Sequence, residues 1–109
     1  MLGDTKFISG KLEQKFKKLK EGKFEEKRLY EWIENAKRNI NEYPASGIKI
    51  TKKLWPKEYI AYNINNLWKY NMPNGWRLIY TIERNEEYIL GIILEWFSHK
   101  EYERRFGYG

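Results

Sequence analysis

The sequence predicts an α+β domain, with an N-terminal helical hairpin packed on an antiparallel, meander-like sheet of about four strands and a short C-terminal turn or helix. Three observations predict it. Apolar residues recur at helical spacing up to Pro44, the period falls towards two after Gly47, and one late run is apolar on both faces.

Each element can be justified in order. Lys6 to Ile8 is a candidate short leading strand that would complete the sheet edge. Leu12, Phe16 and Leu19 recur at i, i+4 and i+7 with lysines opposite, Ser9 is suited to cap this helix, and Gly22 to end it. A second helix from about Phe24 to Tyr43 carries the stripe Leu29, Trp32 or Ile33, Ala36 and Ile40, and Pro44 stops it. Ile48 to Leu54 reads as a short strand, with Ile48 and Ile50 on one face and Lys49 on the other. Asn66 to Met72 is the next strand, closed by the turn Pro73-Asn74-Gly75. Trp76 to Ile82 and Tyr88 to Phe97 follow, joined by a hairpin loop over Glu83 to Glu87. The run from Ile89 to Leu94 is apolar on both faces, which belongs in a sheet interior. His99 to Phe106 leaves the end of that strand as a polar turn or short helix.

The 109 residues suit one domain, residues 1–109. Hydrophobic residues at 41% and aromatics at 17% support a folded core despite a mean hydropathy of −0.86. A formal net charge of +6 and a pI near 9.4 favour an anionic partner. Nucleic acid is the first class, an acidic protein segment the second, and an anionic membrane surface a distant third. No run approaches the roughly 18 apolar residues of a spanning helix. Met1 to Ser9 lacks the apolar core of a secretion signal, so a cytoplasmic protein with no membrane association is expected. With no cysteine and one histidine, disulfides and a typical zinc site are excluded, and no metal or other cofactor is expected. Abundant Lys, Glu, Ile and Tyr also suit a thermophile.

The stretch from Lys49 to Arg77 is the most basic. Lys49, Lys52, Lys53, Lys57, Lys69 and Arg77 stand against the single acid Glu58, interleaved with Trp55, Tyr59, Tyr62, Trp68, Tyr70 and Trp76. Cations neutralise phosphates and aromatic faces stack on unpaired bases, a pairing suited to single-stranded RNA. Equally, the lysines are a solvated face and the aromatics core. His99, the only histidine, directly follows the central strand, where a side chain can be held rigidly. Imidazole suits proton transfer near neutral pH, and Lys100, Tyr102, Arg104 and Arg105 surround it with donors for a phosphodiester. The bland account is a surface residue or cap, with Arg104 and Arg105 paired to Glu101 and Glu103 and Phe106 docking the tail. Arg77 opens an apolar strand, so it is either paired, for which one register brings Glu95 near, or directed at a ligand. Glu95 is correspondingly a paired structural acid or a general base with a raised pKa.

Three segments carry a family resemblance: Asn66-Leu67-Trp68-Lys69-Tyr70, then Pro73-Asn74-Gly75-Trp76-Arg77-Leu78-Ile79-Tyr80, then Leu94-Glu95-Trp96-Phe97-Ser98-His99-Lys100-Glu101-Tyr102. Together they resemble the RelE/ParE superfamily of bacterial and archaeal toxins, and the order of elements agrees over nearly the whole chain. The resemblance implies a toxin-like endoribonuclease (an mRNA interferase) of a type II toxin–antitoxin pair, acting on free or ribosome-bound mRNA. Gyrase inhibition, or RNA or DNA binding without chemistry, are the alternatives on the same fold. It carries a catalytic role onto Arg77, His99 and Tyr102, and a substrate-binding role less securely onto Lys52, Lys53 and Lys69. It also implies a cognate antitoxin laying an acidic segment along the basic groove. The chain departs from the pattern in a short or missing leading strand, a long loop from Trp55 to Asn65, and six residues that follow Tyr102 before Gly109.

The chemistry expected is attack of the RNA's own 2′-hydroxyl on the adjacent phosphate, which needs a base, an acid and cations but no metal. His99 is assigned as acid or base and Arg77 to the transition-state phosphate. Tyr102 would stack or assist proton transfer, and Glu95 or Glu58 is a reserve base. Lys49, Lys52, Lys53, Lys57, Lys69, Lys100, Arg104 and Arg105 are the candidate RNA-binding cations.

Overall fold

A computed structural model of the chain describes residues 2–107; Met1, at the start of the stretch read for a secretion signal, and Tyr108 and Gly109, in the tail after Tyr102, lie outside the described residues. The elements run β1 (Leu2–Phe7), α1 (Gly10–Leu19), α2 (Phe24–Glu42), β2 (Ile48–Lys49), β3 (Trp68–Asn71), β4 (Arg77–Arg84), β5 (Tyr88–Phe97) and α3 (His99–Phe106). A 3₁₀ helix, Lys57–Tyr62, lies in the long link between β2 and β3. This is an α+β fold on one five-stranded sheet of order β1-β5-β4-β3-β2. No helix among the described residues is long and apolar enough to cross a membrane.

The sheet corrects the expected count and the expected sense of pairing. The leading strand is six residues long and runs parallel to β5, from Leu2 opposite Tyr88 to Phe7 opposite Ile93, so the sheet is mixed. The other neighbours are antiparallel. A parallel neighbour needs a long crossover, and α1 and α2 form the first part of it. β2 is shorter than expected. After Ile50 the chain turns into a 3₁₀ turn at Lys52–Leu54, and Trp55 Nε1 donates back to the Ile50 carbonyl at 2.9 Å. β3 starts at Trp68 because the Asn66 side chain substitutes for a strand residue. Its amide accepts from Ile82 N–H and donates to Ile82 C=O, each at 2.8 Å, satisfying the backbone groups a longer β3 would have paired.

Both faces of the sheet are covered, which corrects the expectation of helices on one face only. Below it, Phe16, Leu29, Ile33, Ala36 and Ile40 of α1 and α2 pack against Phe7, Leu78, Tyr80, Ile93 and Trp96. Ser9 caps α1 by accepting from Leu12 N–H at 3.1 Å, as its position suggested. Above the sheet, Tyr59 and Tyr102 pack with Ile50, Leu67, Ile79, Leu94 and Phe97. β5 keeps the interior place that its two-sided apolar run implied, between β1 and β4.

One irregularity decides what the upper face carries. Tyr80 is opposite Ile93, yet Ile79 is opposite Glu95, so Leu94 is an extra residue on β5. Strand side chains alternate between faces, and an extra residue resets that alternation. Ile93 and Trp96 therefore face the helices, while Leu94, Glu95 and Phe97 face the upper side.

Candidate active site on the upper sheet face

Cross-strand partners share a face, so the register builds two adjacent rows on the upper side. Lys69, Ile79 and Glu95 form one; Asn71, Arg77 and Phe97 form the next. α3 lies across them. It starts at Ser98, whose hydroxyl accepts from Glu101 N–H while Glu101 accepts from Ser98 N–H at 2.9 Å, a reciprocal cap. The Ser98 N–H is the main cause holding the Glu101 carboxyl below its usual range. One turn on, Tyr102 is buried against the sheet.

Tyr102 brings the two strand cations together. Lys69 Nζ donates to the Tyr102 hydroxyl at 3.1 Å, and Lys69 Nζ and Arg77 Cζ each lie 5.3 Å from its ring centroid. Arg77 Nη1 donates to the Trp76 carbonyl at 3.2 Å, but its Nε is buried with no hydrogen-bond partner. Buried donors are nearly always satisfied, so this Nε is a position where an acceptor is owed. The expected register pairing of Arg77 with Glu95 does not form, because Arg77 stands opposite Phe97.

Glu95 is engaged elsewhere. The Tyr59 hydroxyl donates to its Oε2 at 2.6 Å, and Arg105 Nη1 donates to both carboxylate oxygens at 2.8 and 3.1 Å. Arg105 Nε also stands 3.7 Å from Glu58. Burial, then the Glu95 carboxylate, pushes the Tyr59 hydroxyl far above the ordinary tyrosine range. Burial works against the Arg105 charge, but Glu95, Tyr59 and Glu58 together outweigh it and raise the guanidinium's pKa. Of the two alternatives, the paired structural acid describes Glu95, with Arg105 rather than Arg77 as the pair. Phe106 docks the end of α3 by stacking on Tyr102 at 4.5 Å.

His99 stands at the first turn of α3 with a well-exposed side chain, its Nε2 2.6 Å from Glu103 Oε1. Its Cβ packs against Gly75 of the β3–β4 turn, where an added Cβ would lie 2.7 Å away. Lys49, opposite Trp68, falls on the helix side of the sheet instead and lines a separate groove with Asn65, Trp68 and Arg84. Lys52, Lys53 and Lys57 are exposed on the 3₁₀ turns, with Lys52 over the Trp55 ring at 5.9 Å. Lys100 is exposed at the start of α3, and Arg104 lines a small cleft with Glu58 and Phe97. The interleaved aromatics are structural in the main. Tyr59 is buried, and the polar ends of Trp55, Trp68 and Tyr70 are bonded within the protein.

Three residues take other parts than the sequence suggested: Tyr59 fixes Glu95 rather than offering a stacking face, Glu103 holds His99 rather than Arg104 or Arg105, and Gly75 seats His99 as well as turning the chain. Only the i, i+4 spacing of His99 and Glu103 was a usable signal. None of the protein-family models, curated proteins or solved structures compared with the chain matches it.

Proposed function

We propose that the protein is a toxin-like endoribonuclease that cleaves RNA by 2′-hydroxyl attack, on a fold resembling the RelE/ParE superfamily. The observation that carries the reading is the Arg77–Lys69–Tyr102 cluster, with its two cations on one ring and the unsatisfied Arg77 Nε. A guanidinium fits phosphate in a planar, bidentate fashion, and the buried Nε would meet a phosphate oxygen once the groups covering it move. In the pentacoordinate transition state the phosphate gains negative charge, which Arg77 and Lys69 would stabilise in place. The Tyr102 hydroxyl, which accepts from Lys69 Nζ, would hand on a proton in this scheme. His99 is held by Glu103 through Nε2, which leaves Nδ1 to act as base or acid. Glu95, with both oxygens engaged, serves in this scheme as an anchor for α3 rather than as a base.

RNA and an acidic antitoxin segment over the same cations are the partners of this reading. The exposure of His99 and its ion pair favour a second reading, in which the fold holds RNA or DNA or contacts gyrase without chemistry. The test measures cleavage of a model mRNA by wild type, Arg77→Ala and His99→Gln, each checked for unchanged circular dichroism and Tm. Loss of cleavage in both folded variants is expected. Wild-type rates in both would overturn the catalytic assignment, and salt-sensitive RNA binding without product in the wild type would select the binding reading.

A further inference from the structure

A large groove borders the rows that carry the cation cluster, sharing Glu95 and Phe97 with them, and none of Lys69, Arg77 and Tyr102 lines it. It has a volume of about 750 Å³, between the wall of α1 and the β5 residues Leu94 to Phe97, and reaches Glu101 at the start of α3. Lys11, Lys15 and Lys18, spaced i, i+4 and i+7, line one side, and Lys15 Nζ sits 5.0 Å over the Trp96 ring. Two carboxylates share the groove. Glu95 is already balanced by Arg105, while Glu101 keeps its charge and interacts with Lys15, so three lysines stand against one carboxylate without a bonded cation. A second groove of about 500 Å³ continues from the first, since Ile8 and Tyr62 line both. It is lined by the run Asn63-Ile64-Asn65-Asn66 and by one carboxylate, Glu83. Asn66 spends its amide on Ile82, but Asn63 and Asn65 are exposed.

We infer that this trough is an accessory subsite for single-stranded RNA, carrying the chain onward from the Arg77 cluster. The inference rests on the proposed RNA-directed function. The three lysines take backbone phosphates, Tyr62, one face of which stacks on Tyr59 at 6.0 Å, offers a base its other face, and the Asn63 and Asn65 amides read base edges. Asn65 Oδ1 accepts from Asn66 Nδ2 at 2.7 Å, which leaves its exposed Nδ2 to donate. A basic wall, an aromatic platform and exposed amides together are how unpaired RNA is held. An acidic peptide would use the lysines but leave the amides and the tyrosine without a purpose. Together the grooves exceed the space of a drug-sized ligand, enough for a few nucleotides.

The test compares binding of oligouridylates of about four and about twelve nucleotides, at several salt concentrations, by fluorescence anisotropy. The proteins are wild type, a triple variant Lys11→Glu/Lys15→Glu/Lys18→Glu, Asn65→Ala, and Arg77→Ala. Wild type is expected to hold the longer oligomer at least about tenfold more tightly, and the triple variant to lose that gain. Its salt slope should fall by about 2, since each single-strand phosphate contact contributes roughly 0.7. Arg77→Ala should weaken the short oligomer yet keep the gain with length, and Asn65→Ala should narrow any preference among homopolymers. A length gain that survives in the triple variant overturns the subsite while leaving the cleavage reading intact. Displacement of the longer oligomer by oligoglutamate from wild type but not from the triple variant would assign the trough to an acidic peptide and overturn it too. Absence of RNA binding by the wild type overturns both.

Discussion

Replacing Arg105 with alanine removes the only side-chain cation bonded to Glu95 among the described residues and leaves that carboxylate with the Tyr59 hydroxyl alone. The side chains of Arg105 and Glu95 are 24% and 25% exposed, so the pair is neither a surface pair nor a sealed one. Breaking a fully buried pair costs about 3–5 kcal/mol, and an exposed pair contributes about 0–1 kcal/mol. An intermediate loss of about 2 kcal/mol follows, part of it from the guanidinium packed over Phe97 at 4.8 Å. In a domain of this size that lowers Tm by about 8 °C. Urea unfolding of wild type, Arg105→Ala, Glu95→Gln and the double variant isolates the electrostatic part. Removing both partners leaves no orphaned charge, so the double variant should lose about 1–2 kcal/mol less than the sum of the singles. Because this pair ties α3 to β5, amide exchange over residues 99–106 should quicken in Arg105→Ala while α1 and α2 keep their protection. A loss under about 0.5 kcal/mol, or strict additivity, would refute the view that Glu95 is an anchor.

Two further outcomes follow from the same geometry. The folded pKa of Tyr59 lies above its unfolded value, so its contribution is complete below about pH 10 and falls as pH rises beyond it. Tyr59→Phe should therefore flatten the alkaline decline of Tm, although it loses the Glu95 hydrogen bond and starts lower at neutral pH; an unchanged alkaline slope would count against the burial of that hydroxyl. Gly75 has φ +79° and no room for a Cβ against His99. Gly75→Ala should cost about 1–3 kcal/mol in a urea titration and shift the His99 ring resonances, whereas a neutral substitution would mean that the turn does not seat α3.

The residues also explain which parts of this molecule a sequence can announce. α1, α2 and β5 each carry at least ten residues of consistent pattern, long enough for one periodicity to win, and β5 begins and ends where its pattern does. The pairing of β1 is a different matter. Its partner is more than 80 residues away, and nothing local distinguishes a parallel edge strand from a loop. β2 ends early and β3 starts late because side chains replace the backbone: Trp55 turns the chain back to Ile50, and Asn66 occupies Ile82. Such substitutions are tertiary and leave no period behind.

The site itself turned on a single residue of register. Strict alternation from Ile93 would have sent Glu95 to the helix face, beneath the sheet, among the rings of Phe7, Phe16 and Trp96 and away from Tyr59 and Arg105. The extra residue at Leu94 lifts Glu95 to the upper face, where Tyr59 and Arg105 can reach it, and sets Phe97 opposite Arg77. Lys49 and Lys69 show the same sensitivity from the other side. Both are lysines at the β2–β3 edge, yet Lys69 joins Arg77 and Tyr102 while Lys49 faces away with Trp68. Composition places cations and aromatics in this stretch of chain; only the pleat and the bulge decide which of them meet. A bulge costs the strand some ladder pairing, and here the return is specific: a helix clamped over two cations, one of which has a buried Nε with no acceptor.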